Sequence, residues 1–159
     1  MSGGERVRNL LTVALDQMPP DTPSGHDFAG VPLGGLFGAV ATGMGVYELA
    51  PGNAAWPYHF EATEEEWLIV LEGELTLRTP SGEAILHAGD VACFPAGAAG
   101  AHAVRNHTDA RVRYAMPSTR ASRGGASVYP DSGKVSVWGP GFHHRGRLGE
   151  PVDYWEGEP

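Results

Sequence analysis

Between Pro57 and Gly73 the sequence reads PYHFEATEEEWLIVLEG, which sets His59 and the carboxylates Glu61, Glu64, Glu65 and Glu66 before the apolar run Trp67–Leu71. Carboxylates this close repel one another and resist burial, so any that face the interior need a compensating charge. A divalent cation would supply it. Side chains i and i+2 of a strand point the same way, which sends His59 and Glu61 to one side and Phe60 to the other. Glu66 has the wrong parity for one unbroken strand. A turn over Ala62–Glu65, however, lets it open the next strand facing back towards the pair. His102 begins a later strand, after the glycine-rich loop Ala96–Ala101. Two imidazoles and two carboxylates converging on one point, His59, Glu61, Glu66 and His102, make a candidate divalent-metal site.

Such convergence needs a scaffold of short strands. Glu66–Leu71 and Glu74–Thr79 read as strands, and Pro80-Ser81-Gly82 has turn chemistry, with proline presetting φ and glycine relieving the turn's steric demand. Glu83–His87 returns, Ala88-Gly89-Asp90 turns again, and Val91–Phe94 stops at Pro95. His102–Asn106 and Arg111–Met116 complete the series. Strands this short, with turn signals this regular, indicate a sandwich or barrel. Leu36–Leu49 reads as one or two strands interrupted by Gly38, Gly43 and Gly45. Residues 1–33 read as an arm, in which Asn9–Leu15 forms a strand or a helical turn and MPPDTPSG is a loop. From Thr119 the periodicity dissolves into glycine-rich sequence. That tail carries Tyr129, Trp138, Phe142, Tyr154 and Trp155, so it is expected to pack on the barrel or on a neighbouring chain.

These residues resemble the cupin superfamily, whose motifs run roughly G-x5-H-x-H-x(3,4)-E-x6-G and G-x5-P-x-G-x2-H-x3-N. The first motif corresponds to Gly52, His59, Glu61, Glu66 and Gly73; the second to Gly89, Pro95, Gly97, His102 and Asn106. Here the first motif has one extra residue before His59, the loop before His102 is two residues longer, and Glu61 stands where the second histidine is expected. The resemblance spans roughly Leu33–Ser118. It implies an all-β double-stranded β-helix, a jelly-roll barrel, over residues 34–118, flanked by the 1–33 arm and the 119–159 extension. It carries metal-ligand roles to His59, Glu66 and His102 directly, and to Glu61 by substitution. It does not choose a reaction, because the family includes dioxygenases, isomerases, lyases and non-catalytic sensors.

Composition narrows the class. With 159 residues and 42% hydrophobic content the chain suits one domain with a real core. A net charge of −8 argues against a nucleic-acid partner, which needs a basic footprint. No apolar stretch is long enough for a membrane span, and the interrupted Leu10–Leu15 run is a poor signal peptide, so a cytoplasmic setting is expected. Cys93 is the sole cysteine and is expected to be a small buried residue.

Other histidines read blandly. His87 and His107 belong at the surface, His143-His144 in an exposed loop, and His26 has no context. Asp90 shapes its own turn. Glu64 and Glu65 belong to the solvated turn, Trp67–Leu71 to packing, and Trp56, Tyr58 or Phe60 to the pocket wall. Two histidines with two carboxylates balance M²⁺, favouring Mn²⁺ or Fe²⁺ with Zn²⁺ or Ni²⁺ still compatible. The leading expectation is a metal-binding protein acting on a small molecule, of dioxygenase, isomerase or lyase type. The alternatives are a non-catalytic ligand-binding module and a purely structural barrel. A homodimer is expected, since an open jelly-roll edge needs covering.

Overall fold

A computed structural model describes residues 7–17, 22–121 and 124–159. Part of the MPPDTPSG loop therefore lies outside the described residues. The chain is almost wholly β: β1 (Asp16–Gln17), β2 (Phe28–Val31), β3 (Thr42–Leu49), β4 (Phe60–Glu61), β5 (Glu66–Glu72), β6 (Glu74–Thr79), β7 (Gly82–His87), β8 (Val91–Phe94), β9 (Ala103–Arg105), β10 (Val112–Thr119), β11 (Gly125–Tyr129), β12 (Lys134–Gly139) and β13 (Phe142–Arg147). Every pairing is antiparallel. The sheets are ordered β1-β2-β3-β10-β5-β8, β13-β12-β11-β4 and β7-β6-β9, the crossed connectivity of a double-stranded β-helix.

Period-two patterning decides the core. Leu68 and Val70 of β5, Leu75 and Leu77 of β6, Val104 of β9 and Val112, Tyr114 and Met116 of β10 are buried together between the sheets. β10 is buried on its outer face too, because the N-terminal segment covers it: Arg113 donates to the carbonyls of Leu10 (2.9 Å) and Val13 (2.6 Å). Asn106, fully buried, donates to the carbonyls of Leu49 (3.1 Å) and Ala110 (2.7 Å) and accepts from Thr108. Gly73 bends the β5–β6 corner at φ 82°, and a Cβ there would press on the Arg111–Val112 backbone.

Several expectations need correcting. Leu33–Leu36 is a helical turn, so strand begins only at Thr42. Cys93 is exposed: its parity on β8 sends Ala92 and Phe94 towards the core and Cys93 outwards, paired with Trp67, itself 45% exposed. Residues 125–147 are not irregular but a three-stranded meander, with His143-His144 in strand β13 rather than in a loop, whereas Tyr154 and Trp155 beyond it are exposed rather than packed on the barrel. Glycines and a short alternation hide these strands, although PDSGK between SVY and KVSVW is a hairpin signal. The arm is tied to the barrel as well, with β2 pairing β3 and a turn closed by Val13 N–H on the Asn9 carbonyl (2.9 Å). No helix among the described residues is long and apolar enough to cross a membrane.

Candidate metal centre

β4, β5 and the loop before β9 deliver the site. His59 and His102 bridge through their backbones, N–H to carbonyl in both directions, at 3.1 and 2.8 Å. Glu66 opens β5 opposite Phe94 and Ser118. The loop before His102 turns at Gly97 (φ 91°), whose N–H donates to the Glu61 carbonyl at 2.7 Å. That bond ties the second motif to the strand bearing Glu61.

Both imidazoles are oriented the same way. Nδ1–H of His59 donates to the Pro57 carbonyl and Nδ1–H of His102 to the Gly100 carbonyl, each at 2.9 Å, which leaves Nε2 of each ring as a free donor atom for a ligand. Phe94 stacks on His102 at 3.8 Å between centroids, and Tyr129 stacks on His59 at 5.8 Å. Glu66 Oε2 lies 3.6 Å from His102 Nε2 and 4.0 Å from His59 Nε2. His59, Glu66 and His102 thus offer ligand atoms within 4.8 Å of one another, a group that could hold a metal ion.

Glu61 stands beside this group, with Oε1 3.7 Å from His59 Nε2. The same Oε1 accepts from Ser127 Oγ at 2.7 Å, so β11 holds the carboxylate from the side. Ser127 and Tyr129 were not legible as site residues, because they belong to the meander concealed in the tail. Glu64 departs from its expected solvated place: it lines the cavity and accepts from the Ala121 N–H at 2.8 Å. Glu65 is exposed, as are His87, whose N–H donates to Asp90 across the turn, and His107, which bonds Thr76. His26 bonds the Ala55 carbonyl.

The electrostatics suit a cation. Burial pushes the Glu66 carboxyl up to about 7, helped by the charges of Glu61 and Glu64. Burial also raises Glu61, against the Ser127 hydrogen bond that lowers it. Burial takes His102 down to about 4 and lowers His59, so both rings are neutral at pH 7. Glu61 Oε2, Glu66 Oε2 and His102 Nε2 are buried without a hydrogen-bond partner. Each such orphan costs about 1–3 kcal/mol. Three orphaned donor atoms, two pinned imidazoles and mutually repelling carboxylates therefore fit a divalent cation.

The centre opens into a cavity of about 460 Å³ whose wall includes Tyr47, Trp56, Met116, Tyr129, Arg120 and Arg145. Of the three aromatics that flank the ligands in sequence, only Trp56 reaches it; Tyr58 instead lies under the Arg78 guanidinium.

Residues 45–116 match the family model described as a cupin domain. A proposed sugar phosphate isomerase from Acidithiobacillus ferrooxidans superposes with TM-score 0.78 at 21% identity, over 91% of this chain and 93% of that one. A sugar phosphate isomerase of the cupin superfamily from Silicibacter pomeroyi gives 0.76 at 24%, over 92% and 96%. A protein from Thermotoga maritima proposed to be an oxalate decarboxylase gives 0.59 at 16%, over 72% and 99%. At these identities the likeness is one of fold. No curated protein matches.

Proposed function

Residues 45–116 belong to the cupin superfamily, and on that premise we propose that the chain is a divalent-metal-dependent enzyme acting on a small polar molecule in the barrel cavity. One observation carries the reading: the unpartnered oxygens of Glu61 and Glu66 belong to residues that line a cavity of small-molecule size, with the unpartnered Nε2 of His102 buried 3.6 Å from Glu66 Oε2. His59, Glu66 and His102 would hold the ion, with Glu61 beside them as a fourth ligand. Two carboxylates neutralise M²⁺ and favour Mn²⁺ or Fe²⁺. The ion supplies Lewis acidity towards a carbonyl, carboxylate or enediol oxygen.

The chain's own residues do the rest. Pro57 and Gly100 fix the ligand tautomers, Ser127 aims Glu61, and Trp56, Met116 and Tyr129 form the aromatic and apolar part of the wall. The neighbours named as sugar phosphate isomerases make aldose and ketose phosphates the first substrates to try. The test is elemental analysis of the purified protein, followed by turnover of sugar phosphates and keto acids and by dioxygen consumption. Stoichiometric metal with turnover is the expected result. Ligand binding without any turnover would make the protein a binding module instead.

A further inference from the structure

The cavity wall holds a second chemical pole, built mainly by the C-terminal meander. Cross-strand pairing aligns Glu61 of β4 with Ser127 of β11, Ser127 with Ser136 of β12, and Ser136 with Arg145 of β13. Directly paired residues of antiparallel strands project from the same face, so these four form one polar row leading away from the metal centre. Ser127 and Ser136 in its middle are buried, and Arg145 at its far end lines the cavity. Arg120, just past β10, lines the same cavity, its backbone fixed by a 3.0 Å hydrogen bond from its N–H to the Ala41 carbonyl.

Neither guanidinium has a hydrogen-bond or ion-pair partner among the described residues. Arg78, Arg111 and Arg113, by contrast, pair with Asp131 or Glu48, and Arg147 bonds the Ser132 carbonyl. Glu61, Glu64 and Glu66 share the cavity with Arg120 and Arg145, yet no ion pair joins the two sets. In a chain of net charge −8, two guanidiniums left open in a pocket beside three carboxylates are a provision for an external anion. The planar fork of donors on each matches a phosphate or a carboxylate.

We infer that Arg120 and Arg145 form the anion-binding end of the pocket. They select a small substrate that carries a phosphate ester or carboxylate at one end and metal-chelating oxygens at the other. The chelating end rests on the metal-centre reading above; the affinity of the arginines for an anion does not.

The experiment uses the full chain freed of metal by a chelator, so that no anion is held by an ion. Inorganic phosphate and, separately, acetate are titrated at constant ionic strength while the arginine side-chain NMR resonances are followed. Wild type and Arg105→Gln, whose arginine lies outside this cavity, are expected to saturate with at least one of the two anions. Arg120→Gln and Arg145→Gln should each weaken binding about tenfold or more, and the double variant should show no saturable site. Tighter phosphate assigns a phosphate ester, and tighter acetate a carboxylate. Mn²⁺ content after reloading should stay at the wild-type level in every arginine variant. Absence of a saturable site for both anions in wild type, undiminished binding in the double variant, or loss of metal with the arginines overturns the assignment. Failure of the metal reading shows separately, as wild-type metal content in His102→Ala, and leaves the arginine result standing.

Discussion

His59 and His102, forty-three positions apart in sequence, exchange a reciprocal pair of backbone hydrogen bonds, and their rings lie 4.9 Å apart between centroids. Each ring is turned by the carbonyl two residues before it, Pro57 or Gly100. The two strands that meet in the barrel wall thus present matched Nε2 atoms to one point, with Glu66 Oε2 on the third side.

Removing one of these atoms tests the centre. Metal at about 100 times its dissociation constant should stabilise the wild-type fold by roughly 2.7 kcal/mol, a rise of roughly 5–11 °C in melting temperature. His102→Ala should lose most of that rise and most of the bound metal. His87→Ala, altered at an exposed position, should keep both. Melting curves with Mn²⁺, anaerobic Fe²⁺, Zn²⁺ and Ni²⁺ decide it, and wild-type metal content in His102→Ala would remove the site assignment.

Metal uptake should be coupled to a proton. Glu66 is protonated below about 7 when no cation is present, and a ligand must be ionised. Below that pH, uptake of Mn²⁺ should release roughly one proton, and apparent affinity should fall about tenfold for each further unit of acidity. Calorimetry in buffers of different ionisation enthalpy measures the proton directly. Affinity independent of pH between 5 and 7 would contradict the burial of Glu66.

The metal-free protein should carry the cost of that carboxylate. Because the folded-state value is raised to about 7, Glu66 contributes stability that is complete below its unfolded value of 4.5 and lost as pH rises through about 7. His102 runs the other way: lowered to about 4, its contribution is complete above its unfolded value of 6.5 and lost as pH falls through about 4. The two slopes oppose each other between 4.5 and 6.5, so the clean comparison lies above pH 7. Glu66→Gln should be more stable than metal-free wild type at pH 8 by about 1–3 kcal/mol, but not at pH 4.5. Urea denaturation at both pH values is the check.

Ser127→Ala removes the 2.7 Å hydrogen bond that aims Glu61 and favours its ionised form. Metal affinity should fall about tenfold, with little change in the melting of the metal-free protein. Ser127→Thr, which keeps the hydroxyl, should restore much of the affinity. An unchanged affinity in Ser127→Ala would mean that Glu61 is not a ligand.

A homodimer is expected from the open edge of the large sheet. β8 ends that sheet with Val91 and Cys93 exposed beside Trp67. An apolar edge strand invites pairing with a second copy. Light scattering that finds only monomer at micromolar concentration would count against it, and Trp67→Glu should shift a dimer towards monomer.

The barrel, and the residues it gathers at the candidate centre, were legible in the sequence because their signals are local. Turn chemistry at Pro80-Ser81-Gly82 and Gly89-Asp90 sets strand lengths, and the period of two selects Leu75 and Leu77 of β6 and Val112, Tyr114 and Met116 of β10 for the barrel core. The spacing from His59 to Glu66 and from Gly97 to His102 places the donors. Glu61 and Glu66 close together already raised the question of a compensating cation, since two like charges resist shared burial. What the tertiary structure alone decided is everything that depends on pairing across long separations. The partner of Glu61 is sixty-six residues away, in a tail whose glycines mask its strands. Whether Trp67 and Cys93 face core or solvent depends on which side of β5 and β8 is covered, and no periodicity states that. Arg120 and Arg145 look like ordinary surface charge in the sequence. Cross-strand register sets Arg145 on the wall of the cavity that holds the carboxylates, and a backbone hydrogen bond to Ala41 sets Arg120 there, because tertiary pairing rather than distance along the chain aligns side chains.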